Sequence, residues 1–336
     1  MDTTALYFSG EESAGLATPG EFVEAVEDGF RYRGEGSPAT APSRLSGEKT
    51  TVTSYKIIFP EWNVMGGYMY AVGEDTWYTT PLFEADTARL MGILDGAVWN
   101  PYKTGAVGAV GTDYLAREDA STVGVVGSGS VAKGTLETVA TVRDLETVDV
   151  FSPTPENRVT FASEMGEQLA ADVRAVESSA EAVREVDIVI VATDAPEPVI
   201  DGGHLSPGTH VNAMGAAHPK RELDITMFEG AGKYVPDIRT RVFGNSVQER
   251  FRAASGFLAA YDAGKASEAT IHGGLGEIVG GDLPGRTDPD KITIVDSVGT
   301  AIETVASAYM LYEKATDRGL GTEITNVPRQ AAGDLR

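Results

Sequence analysis

Residues 123–132 read Val-Gly-Val-Val-Gly-Ser-Gly-Ser-Val-Ala, an apolar run that breaks into a Gly-x-Gly-x-x-Ala motif. This pattern is typical of a strand that turns tightly into a helix whose N-terminus receives a pyrophosphate. Gly127 permits the turn, Gly129 lets the backbone approach a ligand, and Ala132 keeps the helix close to the sheet. The motif alone has little specificity, so the sequence around it has to support the interpretation.

Apolar strands and helical segments alternate after the motif. A helical stretch at 131–142 is followed by apolar strands at 148–151, 186–192 and 210–214. This alternation predicts an α/β fold with a parallel sheet that binds ligands at its carboxyl edge, where Thr193 ends one strand. A Rossmann-type dinucleotide-binding domain is therefore expected. A glycine turn in some other α/β fold is the alternative.

The residues before the motif predict a separate set of elements. Thr18-Pro-Gly-Glu21 is a capping box that predicts the start of a helix. Residues 51–59 are expected to form a strand, followed by a turn at Gly66-Gly67 and a second strand at 68–72. A long helix with a face of small residues is expected at 100–117.

Composition narrows the class of protein. The chain has 336 residues, no cysteine, and 50 acidic residues against 27 basic ones, for a net charge of −23 with 42% hydrophobic residues. Scattered acidity on a folded chain resembles the proteins of salt-accumulating halophiles, although an ordinary acidic protein is the alternative. The charge disfavours nucleic acid and membrane partners. The lack of cysteine, of a signal sequence and of a long apolar run favours a cytoplasmic protein.

Several further motifs stand in a characteristic order along the chain, namely 102–109, 114–117, the loop at Gly127, 208–215, 221–224, 276–280 and 292–303. Together these motifs resemble the ornithine cyclodeaminase/mu-crystallin family, which includes archaeal-type alanine dehydrogenases and ketimine reductases. The resemblance implies an α/β fold in which a Rossmann-type dinucleotide-binding domain, at 119–296, is inserted into an α+β dimerisation and substrate domain, at 1–118 plus 297–336. It also implies a homodimer.

The residues around the second strand of the Rossmann domain bear on the choice of cofactor. NAD-binding proteins usually place an acid at the end of that strand, and here the strand is followed by Ser152. Ser152, Thr154 and Arg158 are suited to a 2′-phosphate, which favours NADP, whereas Asp149 would favour NAD if the strand ended earlier. The motif and the resemblance together predict the remaining cofactor-binding residues, namely Thr104, Gly127, Ser128, Gly129, Ser130, Val131, Ala132, Thr193, Met214, Ser297 and Gly299.

The resemblance also implies a small carboxylate-bearing substrate held by cations of the first domain. Arg44 and Lys103 stand at matching positions, and Lys56 lies near another. Lys103 replaces an arginine of the family, which keeps the charge but loses the bidentate fork. Each of these cations would otherwise be an ordinary solvated residue.

Neither residue of the catalytic acid–base pair that the resemblance implies has a match in this sequence. The family's catalytic lysine is matched by Val72 or Tyr70, and its aspartate by Ala217. His218 is the natural substitute because imidazole exchanges protons near neutral pH, and Tyr70 is a second candidate. A loop histidine without a role is the alternative, and no metal site is expected. Three aromatic residues are expected to line either a substrate pocket or the core, namely Trp62, Trp77 and Tyr78.

These observations predict an NAD(P)-dependent oxidoreductase that transfers hydride at a C=N or C=O carbon next to a carboxylate, as in an imine reductase or amino-acid dehydrogenase. One alternative is a non-catalytic NADP(H)- or ligand-binding protein of the mu-crystallin type. A further alternative is an amino-acid cyclodeaminase that releases ammonia, which the missing lysine and aspartate disfavour.

Overall fold

Two sheets of seven strands each form the framework of the protein, seen in a computed structural model that describes residues 4–34, 39, 43–215, 222–229, 231–239, 256–297 and 299–325. The strands are β1 (Thr4–Phe8), β2 (Ser43–Ser46), β3 (Thr51–Phe59), β4 (Val64–Val72), β5 (Thr76–Glu84), β6 (Leu90–Leu94), β7 (Thr122–Val126), β8 (Thr147–Phe151), β9 (Asp172–Ala175), β10 (Ile188–Val191), β11 (His210–Ala213), β12 (Ala231–Pro236), β13 (Ile292–Asp296) and β14 (Thr322–Thr325).

Helices connect these strands and cover the sheets. They are α1 (Gly10–Ser13), α2 (Pro19–Gly34), α3 (Asn100–Leu115), α4 (Ser130–Val139), α5 (Pro155–Gln168), α6 (Ser179–Ala182), α7 (Phe257–Asp262), α8 (Leu275–Val279) and α9 (Ala301–Asp317). The capping box predicted for α2 is present, since the Thr18 N–H donates to Glu21 at 2.8 Å. Within the described ranges, no helix is both long and apolar enough to cross a lipid bilayer.

The second sheet has the strand order β12-β13-β11-β10-β7-β8-β9, and all of its neighbouring strands are parallel. Its first five strands in chain order follow the Rossmann arrangement 3-2-1-4-5, and the order reverses between β7 and β10. The predicted α/β fold with a Rossmann-type domain is confirmed. Ligands of such sheets bind where the strand order reverses, at the carboxyl ends of the strands.

The first sheet has the order β14-β1-β6-β5-β4-β3-β2. Residues alternate between its two faces, so that Tyr55 and Ile57 are buried while Lys56 and Ile58 are exposed. Helix α9 packs against the buried face, where Ile302 and the other apolar residues of its first turns are enclosed.

The turn predicted at Gly66-Gly67 is wrong. Both glycines lie inside β4, and the chain turns instead at Pro60–Trp62, followed by Asn63 with a φ of 49°. A Cβ atom at Gly66 would lie 2.9 Å from the Pro81 carbonyl oxygen on β5. The glycines therefore let three strands approach closely rather than reverse the chain.

Helices α3 and α4 also approach closely through glycine. A Cβ atom at Gly105 would lie 2.5 Å from the carbonyl oxygen of Gly134. This contact confirms the expected packing of the small-residue face, and it fixes the start of α3 beside the carboxyl edge of the second sheet.

Candidate functional site

A cavity of about 660 Å³ opens at the carboxyl edge of the second sheet, where the strand order reverses. Its volume lies within the range that small-molecule sites usually occupy. The lining residues come from the loops that follow β7, β8, β10 and β11, namely Val126, 127–131, 151–154, Asn157, 192–195, Val199, Met214 and Gly215.

The Gly-x-Gly-x-x-Ala loop forms one side of this cavity. Gly127 has a φ of +118°, and a Cβ atom there would lie 2.2 Å from the carbonyl oxygen of Ala192. Gly129 caps the N-terminus of α4, and a Cβ atom there would meet nothing within 4 Å. The loop thus leaves open space in front of the helix N-terminus, whose unpaired N–H groups favour an anion.

Many of the predicted cofactor-binding residues line this one cavity, namely Gly127, Ser128, Gly129, Ser130, Val131, Ser152, Thr154, Thr193 and Met214. The others, Thr104, Ala132, Arg158, Ser297 and Gly299, do not line it. Ala132 is fully buried under the sheet edge, as its predicted packing role requires. Thr104 lies on α3, half-buried.

Arg158 is a buried residue that supports the loop after β8. Its guanidinium donates to the Ser152 carbonyl oxygen at 3.1 Å and pairs with Glu177, whose side chain is 83% exposed. Asp149 pairs with Arg174 on β9 at 2.9 Å and lies two residues before the strand ends. The strand therefore ends where the sequence placed it, and Arg158 is engaged within the protein.

Ser297 and Gly299 follow β13 at the far end of this edge. The Ser297 N–H donates to the Ala213 carbonyl oxygen at 3.0 Å, next to Met214 of the cavity wall. Among the described residues, the buried Ser297 hydroxyl has no hydrogen-bond partner. A buried hydroxyl of this kind commonly marks a place where a ligand or a water completes the bonding.

Lys103 and Glu303 form a buried ion pair beside Gly299. Their side chains are 4% and 1% exposed, and the Lys103 Nζ atom lies 3.6 Å from the Glu303 Oε1 atom. Burial lowers the pKa of Lys103 and raises that of Glu303, while their mutual attraction opposes both shifts. Glu303 also accepts hydrogen bonds from the backbone and hydroxyl of Thr300 in the capping box of α9.

The structure brings Arg44 toward this region but not Lys56. Arg44 lies on β2 opposite Thr53, on the sheet face that carries Tyr55 and Tyr70. Lys56 lies on the opposite face, where its Cγ atom packs near Gly67. Lys56 therefore lies on the face opposite to Tyr55 and Arg44 within this chain, because neighbouring residues of a strand point to opposite faces. A role for Lys56 beside Arg44 stays a prediction. His218 and Ala217 lie outside the described residues.

Only one of the three aromatic residues proposed for a pocket lies on the inner face of the sheet. Tyr78 contacts Tyr68 and Tyr70, whereas Trp77 is 74% exposed on the outer face. Trp62 packs against Phe59, with 4.4 Å between the ring centroids, and against Tyr309 of α9. Val72, one of the two candidates for the lysine position, is exposed at the end of β4, and Tyr70 is half-buried.

Glu222 joins two loops of the cavity wall, a role that the sequence did not indicate. Its buried carboxylate accepts hydrogen bonds from the Thr193 N–H at 2.5 Å, the Thr193 hydroxyl at 2.9 Å and the Gly215 N–H at 3.0 Å. Burial raises the pKa of Glu222 to about 7, and the charge of Asp296 adds to this shift although the hydrogen bonds oppose it.

The Glu222→Gln variant is expected to become more stable relative to wild type as the pH rises from 5 to 8. In wild type the unfolded chain releases the Glu222 proton near pH 4.5 and the folded chain near pH 7. The free energy of unfolding therefore falls by about 2.5 kcal/mol over this window, and glutamine cannot titrate. Urea unfolding at both pH values measures the difference.

The exposed Glu24→Gln variant serves as the control for charge alone. Its stability relative to wild type is expected to change by less than about 0.5 kcal/mol between the two pH values. An equal effect of Glu222→Gln at pH 5 and pH 8 would contradict the raised pKa.

Comparison with known proteins adds relatives of known activity. The sequence model of the ornithine cyclodeaminase/mu-crystallin family matches residues 40–319. A Delta(1)-pyrroline-2-carboxylate reductase of Bacillus cereus is 32% identical over 72% of each chain. The structure of Thermococcus litoralis Delta(1)-pyrroline-2-carboxylate reductase in complex with NADH and L-proline is 29% identical, with a TM-score of 0.88 over 95% of this chain and all of the other. An archaeal alanine dehydrogenase dimer with bound NAD is 26% identical, with a TM-score of 0.87 over 96% of this chain and 99% of the other.

Proposed function

The chain belongs to the ornithine cyclodeaminase/mu-crystallin family, and we propose that it is an NAD(P)-dependent oxidoreductase that transfers hydride at a C=N or C=O carbon next to a carboxylate. The observation that carries this proposal is the cavity at the reversal of strand order, which is lined by the Gly-x-Gly loop that leads into the N-terminus of α4. Its relatives include reductases of a cyclic imino acid, and their sequences match this chain over about seven tenths of its length.

The residues around the cavity fit a nicotinamide dinucleotide. The open space at Gly129 and the N-terminus of α4 suit the pyrophosphate, and Ser152 and Thr154 suit a ribose. The unpartnered Ser297 hydroxyl suits the polar end of the nicotinamide, near Met214 and Gly299. When bound, the cofactor supplies the hydride, and the protein supplies orientation and electrostatics.

NADP as the preferred form of the cofactor is a finer proposal. It is supported by the hydroxyl residues Ser152 and Thr154 at the position where NAD-binding proteins usually carry an acid. Arg158 would first have to exchange its ion pair with the exposed Glu177 for the 2′-phosphate. A higher kcat/KM with NADPH than with NADH is expected, and the reverse order would remove this preference.

Arg44 and Lys103 are proposed to hold the substrate carboxylate. Arg44 is exposed and supplies a guanidinium, which fits a carboxylate with two parallel hydrogen bonds. Lys103 is already paired with Glu303, so it contributes less net charge than its position alone suggests. His218 remains our proposal for proton transfer to the substrate nitrogen or oxygen, because imidazole titrates near neutral pH.

We further propose the domain division 1–118 plus 297–336 and 119–296, and a homodimer formed by the first domain. The strands β1–β6 and β14 of the first sheet flank those of the second in the sequence. The outer face of the first sheet exposes large apolar side chains, including Leu45, Ile58 and Trp77. Exposed apolar patches of this kind commonly mark a protein interface.

A cytoplasmic location in a salt-accumulating cell is proposed from the net charge of −23. Molar salt would screen the mutual repulsion of these charges, so stability should rise with KCl concentration. Assays of the protein therefore require molar KCl.

Turnover with NADPH and NADH, followed by absorbance in molar KCl, tests the proposed function. The substrates are Delta(1)-pyrroline-2-carboxylate, its six-membered homologue, and 2-oxo acids with ammonia or methylamine. The reverse direction uses amino acids with the oxidised cofactors. Oxidation of reduced cofactor that depends on one of these substrates is expected.

Binding of cofactor without turnover of any substrate would contradict the enzymatic proposal. It would favour a binding protein, in agreement with the missing lysine and aspartate of the family pattern. Release of ammonia from a diamino acid without net change of the cofactor would instead favour a cyclodeaminase.

A further inference from the structure

Four tyrosines from three adjacent strands share the inner face of the first sheet. We call Tyr55 on β3, Tyr68 and Tyr70 on β4, and Tyr78 on β5 the tyrosine wall. The ring centroids of Tyr55 and Tyr68 are 5.6 Å apart, those of Tyr68 and Tyr70 are 5.5 Å apart, and those of Tyr70 and Tyr78 are 5.9 Å apart. The rings therefore form one continuous aromatic surface.

The tyrosine wall reaches the end of the second sheet. A Cβ atom at Gly299 would lie 3.6 Å from the Tyr55 hydroxyl and 3.5 Å from Glu303 Oε1. The wall is thus adjacent to Gly299, near which the nicotinamide end of the cofactor is proposed to bind. A substrate carbon that receives hydride there has this wall as its neighbour.

The exposure of the rings changes along the wall. Tyr55 and Tyr68 are buried, and the Tyr68 hydroxyl donates to Asn100 Oδ1 at 3.0 Å. Tyr70 and Tyr78 are half-buried and lie directly opposite each other on β4 and β5. The inner half of the wall therefore belongs to the core, and the outer half retains aromatic surface for a ligand.

Arg44 stands in the same cross-strand row as the outer half of the wall. Arg44 faces Thr53, and Thr53 faces Tyr70. Adjacent strands are about 4.8 Å apart, so Arg44 and Tyr70 originate about 10 Å from each other. A guanidinium and an aromatic ring at this spacing suit the two ends of one ligand, a carboxylate and a planar apolar group.

The charges along the wall argue against a substrate with a cationic side chain. The Lys103 ammonium already lies 4.9 Å from the centroid of the Tyr68 ring. The buried Glu303 carboxylate is already paired with Lys103, so it does not supply a counter-charge for a second ammonium near Tyr70. Diamino acids are therefore poor candidates for this surface.

We propose that Tyr70 and Tyr78 form the subsite for the substrate side chain, and that the substrate is a 2-imino or 2-oxo acid with an aromatic or bulky apolar side chain. This inference rests on the proposed function and names the substrate class for that site. Tyr70 and Tyr78 contact the side chain, and Arg44 binds the carboxylate.

The test compares the aryl imino acid formed from phenylpyruvate and methylamine with the small cyclic Delta(1)-pyrroline-2-carboxylate. Wild type is expected to show the higher kcat/KM with the aryl substrate. Tyr78→Ala is expected to lose on the order of 10-fold or more in kcat/KM with the aryl substrate, and less than about threefold with the cyclic one. Tyr70→Ala is expected to lose more kcat/KM with the aryl substrate than with the cyclic one. Tyr70→Phe keeps the ring and should keep the preference.

Met69→Ala and Thr79→Ala are matched controls, because each residue adjoins a wall tyrosine on the same strand but points to the opposite face. Both should retain the substrate preference of wild type. NADH affinity and melting temperature, measured for every variant, separate a subsite effect from a folding defect. Equal losses in Tyr70→Ala and Met69→Ala, or a preference of wild type for the cyclic substrate, would overturn the inference.

If wild type turns over no substrate, the binding of phenylpyruvate without amine is measured by thermal shift. Binding that is lost in Tyr70→Ala and kept in Met69→Ala would support the subsite and contradict only the proposed reaction. Equal binding by both variants, or none by wild type, would overturn the subsite itself.

Discussion

The Lys103→Met variant is expected to lose about 3–5 kcal/mol of its free energy of unfolding. Methionine fills a similar volume but leaves the Glu303 carboxylate buried without its cationic partner. Removing one member of a buried ion pair leaves an uncompensated charge, which costs far more than the net stabilisation that the pair provided. Chemical unfolding at neutral pH in molar KCl measures the loss.

A double variant and a surface lysine give the controls for this prediction. Lys103→Met combined with Glu303→Gln removes both charges and should recover most of the loss, because glutamine can still bond to Thr300. Lys133→Met breaks the partly exposed pair with Glu164 and should cost less than about 1 kcal/mol. A loss of less than about 1 kcal/mol in the free energy of unfolding of Lys103→Met, or no recovery in the double variant, would contradict a buried Lys103–Glu303 ion pair.

The Lys103–Glu303 ion pair is a contact that the sequence alone does not predict. The sequence marks Lys103 as a cation in place of an arginine of the family, and Glu303 as part of the motif at 292–303. Two hundred residues separate them, and nothing local indicates that α3 and α9 begin side by side. The capping box Thr300-x-x-Glu303 was the available signal, since it places Glu303 in the first turn of a helix.

Local patterns predicted the Rossmann domain well for a physical reason. The turn at Gly127, the helix after it and the apolar parallel strands each follow from backbone geometry and burial over a few residues. Most of the residues predicted to bind the cofactor belong to the same short loops. Those loop residues line one cavity, and their contact with a cofactor stays a prediction.

The first sheet was predicted less well because its pattern depends on neighbours distant in sequence. Gly66 and Gly67 suggested a turn, although they make room for Pro81 and Tyr55 on adjacent strands. The face on which Lys56 lies depends on the register of β3 against β4, which the sequence does not state. For the same reason the sequence alone does not predict the tyrosine wall, because the register of β3, β4 and β5 brings its four members together.

The Gly127→Val variant is expected to lose cofactor binding by more than about 100-fold and to fold less stably. At φ +118°, any side chain strains the backbone, and a Cβ atom would lie 2.2 Å from the Ala192 carbonyl oxygen. Strand β7 pairs with β8 and β10, and β10 also pairs with β11. The loop therefore cannot move away from Ala192 without breaking hydrogen bonds between these strands. Each such conflict costs roughly 1–3 kcal/mol, and together they displace the loop that faces α4.

Gly129→Val separates the two effects that Gly127→Val combines. Gly129 has a φ of −80°, and a Cβ atom there would meet nothing within 4 Å, so the fold should tolerate the change. The added side chain would occupy the space proposed for the pyrophosphate, so NADH affinity, measured by fluorescence titration, should fall while the melting temperature stays close to that of wild type. Undiminished NADH binding by Gly129→Val would show that the pyrophosphate lies elsewhere, and an unchanged melting temperature for Gly127→Val would contradict the strain argued for that turn. Loss of stability in Gly127→Val alone, with loss of affinity in both, is the pattern that the geometry of this loop requires.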